Sequence, residues 1–171
     1  MITINSNKDE LVNAVSGVFA ELLQLYDSVD HERINDIPYP GSWTPGQLLD
    51  HVAKSTNGIA SALMEDGKST DRNVTERVPE LKKVFLDFSN KMKSPDGIVP
   101  GNGPFEKQDV IDKLKISFED FAKSADNTNL DGLVEGLLLG PITKLELLYF
   151  VLYHSTRHLE QMNRICNALN K

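Results

Sequence analysis

The residues of this chain that are best suited to metal chemistry are its four histidines, His31, His51, His154 and His158. His154 and His158 are one helical turn apart, which places their Cβ atoms ~6 Å apart and lets both rings reach one metal ion. Imidazole nitrogen suits Zn, Ni, Fe or Cu as a ligand. The pair therefore predicts two ligands of a divalent metal site.

His51 is the candidate third ligand. It shares a predicted helix face with Leu48 and Ser55, and we expect it to face the interior. A third imidazole would complete a three-histidine site with an open coordination position, the arrangement that catalytic metals use. The alternative is three core histidines satisfied without a metal, which is costly to bury. Spacing alone leaves both interpretations open, while His31, in a polar loop, is expected to be exposed.

Two polar side chains of the same helix are candidate catalytic residues. Gln161 lies one turn after His158 and could hydrogen-bond a ligand histidine, a water on the metal, or equally the backbone. Arg157 could clamp an anionic group of a substrate. We favour a solvated position for it, paired with Glu160 or Tyr153.

Other side chains near the predicted site are assigned to packing. Phe150 precedes His154 by one turn and has no hydroxyl group, so we interpret it as core. Tyr153 points about 100° away from His154 on the helix, which favours the surface or an interface. Trp43 is expected to cover the start of its helix, and Cys166 to pack rather than react.

Helices must position these residues. The capping-box patterns at residues 44–47 and 143–146 predict helices that run to about Met64 and about Leu169. Apolar periodicity predicts three more, one capped by Ser6, one over about 76–92 and one over about 106–125. No strand alternation stands out. The fold class is all-α, an antiparallel four-helix bundle with an additional helix, in a single domain over residues 1–171.

Two connecting segments have distinct predictions. Residues 94–105, SPDGIVPGNGPF, contain three prolines and three glycines and form a candidate lid, which we name the rim loop. Residues 137–141 are expected to make a short buried turn.

The last helix has an unusually wide apolar face. His154, Leu147 and Phe150 lie on one side of the helical wheel, whereas Glu146 and Tyr149 lie on the polar side with Tyr153 and Arg157. A face this wide predicts that more than one neighbour covers the helix, including a second subunit.

Composition excludes several classes of function. The 18 basic and 25 acidic residues give a net charge of −7, which argues against a nucleic-acid or anionic-membrane partner. One cysteine excludes an internal disulfide framework. No stretch approaches the ~20 apolar residues that span a bilayer, and no secretory signal is visible, so the cytoplasm is the expected location.

Two segments resemble the DinB-like superfamily. Residues 43–51, WTPGQLLDH, resemble its Trp-(Ser/Thr)-Pro signature with a following apolar residue and histidine. Residues 154–161, HSTRHLEQ, resemble its final-helix His-x-x-x-His pattern with a glutamine. The resemblance implies a four-helix bundle whose metal ligands are His51, His154 and His158, and often a homodimer.

The resemblance also limits the predicted function. Some members of the superfamily are transferases or isomerases that use a low-molecular-weight thiol, and many have no known reaction. We therefore expect a metal-dependent enzyme, with Zn, Ni or Fe, that acts on a small molecule as a hydrolase or a thiol-dependent S-transferase. The alternative is a non-catalytic helical binding protein with a structural or vestigial metal site.

Overall fold

Polar caps determine where the longer helices begin. In the computed structural model, which describes residue 3 and residues 5–170, the side chains of Asn7, Thr44 and Thr143 each close a capping box. The described residues form five α-helices: α1 (Lys8–Asp27), α2 (Pro45–Met64), α3 (Val78–Phe85), α4 (Lys107–Asp126) and α5 (Lys144–Leu169). Short 3-10 turns lie at His31–Arg33 and Asp96–Ile98, and two short strands are β1 (Leu133–Val134) and β2 (Ile142–Thr143).

The observed helices confirm the predicted all-α bundle, with one correction at its start. Asn7, not Ser6, caps α1. Ser6 is buried, and its backbone N–H donates a hydrogen bond of 3.1 Å to the hydroxyl of Tyr149 on α5. Ser6 therefore attaches the chain to α5 before the helix begins.

The third helix is shorter than predicted, because it ends at Phe85 rather than near residue 92. The carboxylate of Asp87 accepts hydrogen bonds from the backbone N–H and the hydroxyl of Ser89, which stabilises a turn instead of a helix. The guanidinium of Arg157 occupies the carbonyls of Phe85 and Asp87, which a longer helix would need for its own N–H groups. Apolar periodicity cannot reveal this competition.

Helices α1 and α5 run parallel to each other. Near their starts, Ser6 is bonded to Tyr149, and near their ends the Cys166 Sγ lies 3.7 Å from the carbonyl oxygen of Leu25. Antiparallel helices could not make both contacts.

Helices α2 and α4 form a second parallel pair. Asp50 and Lys113, both near the starts of these helices, form an ion pair. At the other end, the Lys144 amine donates to the carbonyl of Glu65 and the hydroxyl of Thr128, just after α2 and α4 end. Because Lys144 begins α5, this pair is antiparallel to α1 and α5. The long connection from residue 65 to 106 returns the chain to the starting end and allows this order.

A small sheet forms where no strand was predicted. Antiparallel pairing joins Leu133 to Thr143, and an isolated bridge adds Lys68. A Cβ on Gly67 would lie 2.8 Å from the Cα of Gly132, so this crossing needs glycine. The turn predicted at residues 137–141 forms, with the Gly140 N–H donating to the Leu137 carbonyl at 2.9 Å, but it is not buried, because Leu138 is 86% exposed.

Burial of α5 extends over more of its surface than the helical wheel predicts. Glu146, Tyr149 and Tyr153, all assigned to the polar side, are buried. Helices α1, α2 and α3 all pack against α5, and the core that they enclose includes the large, fully buried side chains Leu11, Leu22, Leu48, Leu49, Tyr26 and Leu147. The wide apolar face is thus covered within one chain, so the homodimer stays a prediction that this face no longer supports. Among the described residues, no helix combines the length and apolar content that crossing a membrane requires.

Candidate metal centre

The three predicted ligand histidines converge between α2 and α5. The Nε2 atom of His51 lies 3.2 Å from that of His154 and 3.1 Å from that of His158, and the Nε2 atoms of His154 and His158 are 3.1 Å apart. All three side chains are buried. One helical turn separates the two histidines of α5, and the antiparallel α2 brings His51 opposite them. The result is a compact group of three nitrogen atoms.

Burial keeps these imidazoles neutral. It lowers the pKa of His51, lowers that of His158 to about 3, and lowers that of His154 well below its ordinary value. A neutral imidazole carries one N–H group and one nitrogen lone pair. The lone pair is what a metal ion needs, so the group is ready to bind a cation at neutral pH.

Two oxygen atoms decide where His51 and His158 carry their protons. The Nδ1 of His51 lies 2.8 Å from the carbonyl oxygen of Ile98, which can only accept, so this Nδ1 carries the proton. The Nδ1 of His158 donates in the same way to the Oε1 of Gln161, at 3.0 Å. Both Nε2 atoms are therefore lone-pair acceptors that face each other at 3.1 Å.

This group fits a divalent metal ion. His154 can supply at most one N–H to the other two nitrogens, so the three atoms cannot satisfy one another fully. Two imidazole nitrogens bound tetrahedrally to one zinc ion at ~2.0–2.1 Å are ~3.3 Å apart, close to the observed spacing. A cation among them would convert repelling lone pairs into ligands. The three histidines are also the one group in the described part of the chain whose His, Cys, Asp and Glu atoms lie close enough to hold an ion.

Aromatic rings surround the histidines. The ring of Trp43 lies 4.8 Å from that of His51, and Phe150 stacks on His154 at 5.2 Å. Phe85, at the end of α3, meets His154 edge to face at 6.0 Å. Phe150 is buried as predicted, and it also walls the site. Sequence reasoning missed Phe85, since nothing in the spacing of α3 relates it to His154, which comes 69 residues later in the chain.

Arg157 occupies a position that differs from the one we favoured. Its guanidinium donates to the backbone carbonyls of Phe85, Asp87 and Asn90, with 2.8 Å to Asp87. Arg157 is half-buried, and its hydrogen-bond partners are these carbonyls rather than the Glu160 carboxylate. Arg157 thus holds the turn after α3, and with it Phe85, beside the histidines.

Gln161 and Ile98 contact the histidines directly. Gln161 hydrogen-bonds His158, one of the three predicted ligands, as its spacing suggested. The contribution of Ile98 is a backbone carbonyl of the rim loop, which no side-chain motif can signal. Away from the site, His31 is exposed as predicted, and burial raises the pKa of Cys166, which packs against α1.

Comparison with known proteins places this arrangement in a family. A family model described as the DinB superfamily matches residues 14–162, which include all three histidines. The chain belongs to the DinB superfamily. The predicted resemblance of residues 43–51 and 154–161 is thereby confirmed. No curated protein sequence matches this DinB chain significantly.

Two solved structures share the DinB bundle. TT2238, described as a four-helix bundle protein, aligns with a TM-score of 0.61 and 16% identity over 92% of this chain and 99% of its own. YfiT from Bacillus subtilis, described as a probable metal-dependent hydrolase with an unusual four-helix bundle topology, aligns with a TM-score of 0.63 and 14% identity over 99% of this chain and 91% of its own. At these identities the likeness establishes the four-helix fold.

Proposed function

We propose that this DinB protein is a metal-dependent hydrolase of small molecules whose divalent cation is held by His51, His154 and His158. The observation that carries the proposal is the convergence of the three Nε2 atoms to within 3.2 Å of one another. The contacts of the Nδ1 atoms of His51 and His158 with the Ile98 and Gln161 oxygens support it, because they leave the Nε2 lone pairs of both rings facing inward. The description of YfiT as a probable metal-dependent hydrolase supports the choice of hydrolysis among metal-dependent reactions.

The ligand set suits catalysis better than a closed structural site. Three neutral imidazoles leave a divalent ion its full positive charge and leave a coordination position for water or substrate. A cation there supplies a Lewis acid, which acidifies water and polarises an oxygen of the substrate. The Ile98 carbonyl and the Gln161 amide keep two ligand rings in position, and the rings of Trp43 and Phe150 exclude bulk water from the histidines.

Charged side chains near the histidines are engaged elsewhere. Arg157 is bound to backbone carbonyls, and the Asp50 carboxylate is bound to Lys54, Lys113 and the Gly101 N–H. The protein groups facing the histidines are therefore aromatic or neutral and polar. We infer that the substrate presents an uncharged, polarisable group, such as an ester or amide carbonyl, to the cation.

Metal analysis of protein purified without an affinity tag tests the site. We expect about one equivalent of Zn, Ni or Fe per chain, lost in His51→Ala and in His158→Ala, because two imidazoles do not hold a divalent ion stably. The matched control is His31→Ala, which removes an exposed histidine and should leave the metal content unchanged. Wild-type protein that stays metal-free after incubation with each ion would overturn the proposed site.

An activity screen then tests the reaction class. Zn²⁺-loaded protein should hydrolyse an ester or amide in a small-molecule panel, and both chelation and His158→Ala should abolish the rate. Transfer of substrate groups to a low-molecular-weight thiol, without hydrolysis, would instead identify an S-transferase. Metal binding without either reaction would identify a non-catalytic binding protein.

A further inference from the structure

One face of α2 holds the backbone of the rim loop. Four side chains spaced at i, i+3, i+4 and i+7 lie on this face, which is the spacing of neighbours on successive helical turns. Each forms a hydrogen bond with the backbone of residues 98–101. These side chains are Gln47, Asp50, His51 and Lys54.

Gly101 of the rim loop is held by α2 through both its N–H and its carbonyl. Its N–H donates to the Asp50 carboxylate at 2.9 Å, and its carbonyl accepts from the Gln47 amide at 3.2 Å. Lys54 donates to the carbonyl of Val99 at 3.0 Å. These contacts place the carbonyl of Ile98 against the His51 ring.

Asp50 links this contact to two helices. The Asp50 side chain is 5% exposed, and its Oδ2 forms an ion pair with the Nζ of Lys54 at 2.9 Å. Its Oδ1 pairs with Lys113 of α4. Its remaining hydrogen bond is the one from Gly101. Removing a partner from such a buried charge is strongly unfavourable, so the carboxylate holds the rim loop against α2 and α4 together.

We infer that Asp50 is a positioning residue for His51, acting through the rim loop, so that docking of the loop and binding of the cation strengthen each other. This inference rests on the proposed metal site. When the loop is docked, the Ile98 carbonyl accepts a hydrogen bond from the Nδ1–H of His51, which leaves the Nε2 lone pair free to bind metal. A cation on Nε2 makes the Nδ1–H a stronger donor to the same carbonyl. Coupling of this kind is reciprocal by thermodynamic necessity.

The first test needs no substitution. Hydrogen exchange of the wild-type protein is measured with and without Zn²⁺, and we expect Zn²⁺ to slow exchange at the Gly101 amide. The Phe105 amide is the internal control. It belongs to the same loop but donates to the side chain of Asn35, at 2.8 Å, rather than to the Asp50 carboxylate. Its exchange rate should not respond to Zn²⁺.

Substitution of Asp50 provides the second test. In Asp50→Asn we expect Zn²⁺ affinity, measured by competition with a chromophoric chelator, to fall roughly tenfold, the usual cost of losing support for a ligand. Exchange at Gly101 should be faster even without metal. Asp50→Glu, which keeps the charge, should recover part of the affinity, which a purely structural role would not require.

Lys113→Met keeps the inference testable if Asp50→Asn does not fold. Lys113 is partly exposed, and its substitution removes one ion-pair partner of Asp50 without changing a histidine. It should weaken Zn²⁺ binding in the same direction, whereas Lys115→Met, at an exposed position of the same helix, should not. Circular dichroism verifies that each variant folds.

The outcomes separate this inference from the proposed function. If wild-type protein binds Zn²⁺ but exchange at Gly101 does not respond, or the folded Asp50 and Lys113 variants bind Zn²⁺ as wild type does, the coupling is overturned and the metal site stands. If wild-type protein binds Ni²⁺ or Fe²⁺ but not Zn²⁺, the same measurements are made with that ion, and if it binds none of the three, both are overturned.

Discussion

Two buried polar clusters on α5 differ in whether the chain satisfies them. Near the start of the helix, both oxygens of Glu146 are bonded: Arg72 donates to each at 2.8 Å, and the backbone N–H groups of Arg77 and Thr143 donate at 2.7 and 3.0 Å. Two turns later, His154 and His158 face His51 with too few protons among them. The first cluster is complete within the protein, whereas the second lacks donors for its acceptors, and the cation that we propose there would complete it.

This difference separates structural from functional burial. A buried carboxylate with a bidentate arginine holds the connections before and after it in place. Nitrogen acceptors that converge on one point, as the histidine Nε2 atoms do, hold no segment of the chain in place. Burying them without donors costs free energy. Burial alone therefore does not tell a structural polar cluster from a candidate functional one. The balance of hydrogen-bond donors and acceptors distinguishes the two.

Breaking the complete cluster should have the largest effect on stability. Glu146→Gln leaves the guanidinium of Arg72 without its charge partner, and we expect the free energy of unfolding to fall by about 3 kcal/mol. Chemical denaturation measures this change. Zn²⁺ stoichiometry should stay unchanged, since the histidines do not contact Glu146.

The control for this substitution is Glu80→Gln. Glu80 forms an exposed ion pair with Arg77, so its loss should cost less than about 1 kcal/mol. Equal losses in the two variants would contradict the view that the Glu146 cluster is a structural centre.

Weakening the incomplete cluster should affect metal binding more than folding. In Gln161→Leu, the Nδ1–H of His158 loses its acceptor, and we expect roughly tenfold weaker Zn²⁺ binding, or about 1.4 kcal/mol. Isothermal titration calorimetry measures the affinity, and denaturation should show a smaller change in stability.

Two variants give this prediction its reference points. Gln161→Glu retains an acceptor oxygen and should retain Zn²⁺ affinity, whereas Gln108→Leu changes an exposed glutamine of α4 and should alter nothing. An unchanged affinity in Gln161→Leu would show that Gln161 does not position His158.

The smallest of the three effects is expected on acidification. Burial by itself raises the pKa of Glu146, but the hydrogen bonds from Arg72 and from the Thr143 and Arg77 amides outweigh it and hold the pKa below the ordinary 4.5. The unfolded chain therefore takes up this proton at higher pH than the folded protein does. The stabilisation is present above pH 4.5 and is lost as the pH falls through the lower, folded value.

Denaturation of metal-free protein at decreasing pH measures this dependence. Below pH 4.5, the wild type should lose stability more steeply than Glu146→Gln, which has no proton to gain at this position. The buried histidines, with lowered pKa values, contribute a separate loss that begins near their ordinary 6.5 and is common to both proteins. Parallel curves below pH 4.5 would exclude the Glu146 contribution.

Much of the site could be predicted from spacing. His154 and His158 share a helix face because they are four residues apart, and the caps at Thr44 and Thr143 place the starts of α2 and α5 correctly. The prediction that Glu146 lies on the polar side of α5 was wrong, because spacing describes only neighbours within the same helix. Its side chain completes the cap of α5 and also receives Arg72 from 74 residues away, and a helical wheel contains only the first of these facts.

The sequence by itself determined the all-α class, the starts of α2 and α5 and the adjacency of the two histidines of α5, because caps and helical periodicity act over a few residues. The tertiary structure alone decided the rest. It brings His51 to His154 across 103 residues and the Ile98 carbonyl to His51 across 47. Such contacts depend on the directions of whole helices and on the path of a loop backbone. For this reason the hydrogen-bond partners that set the protonation of His51 and His158, on which the proposed metal chemistry depends, become visible only in the folded chain.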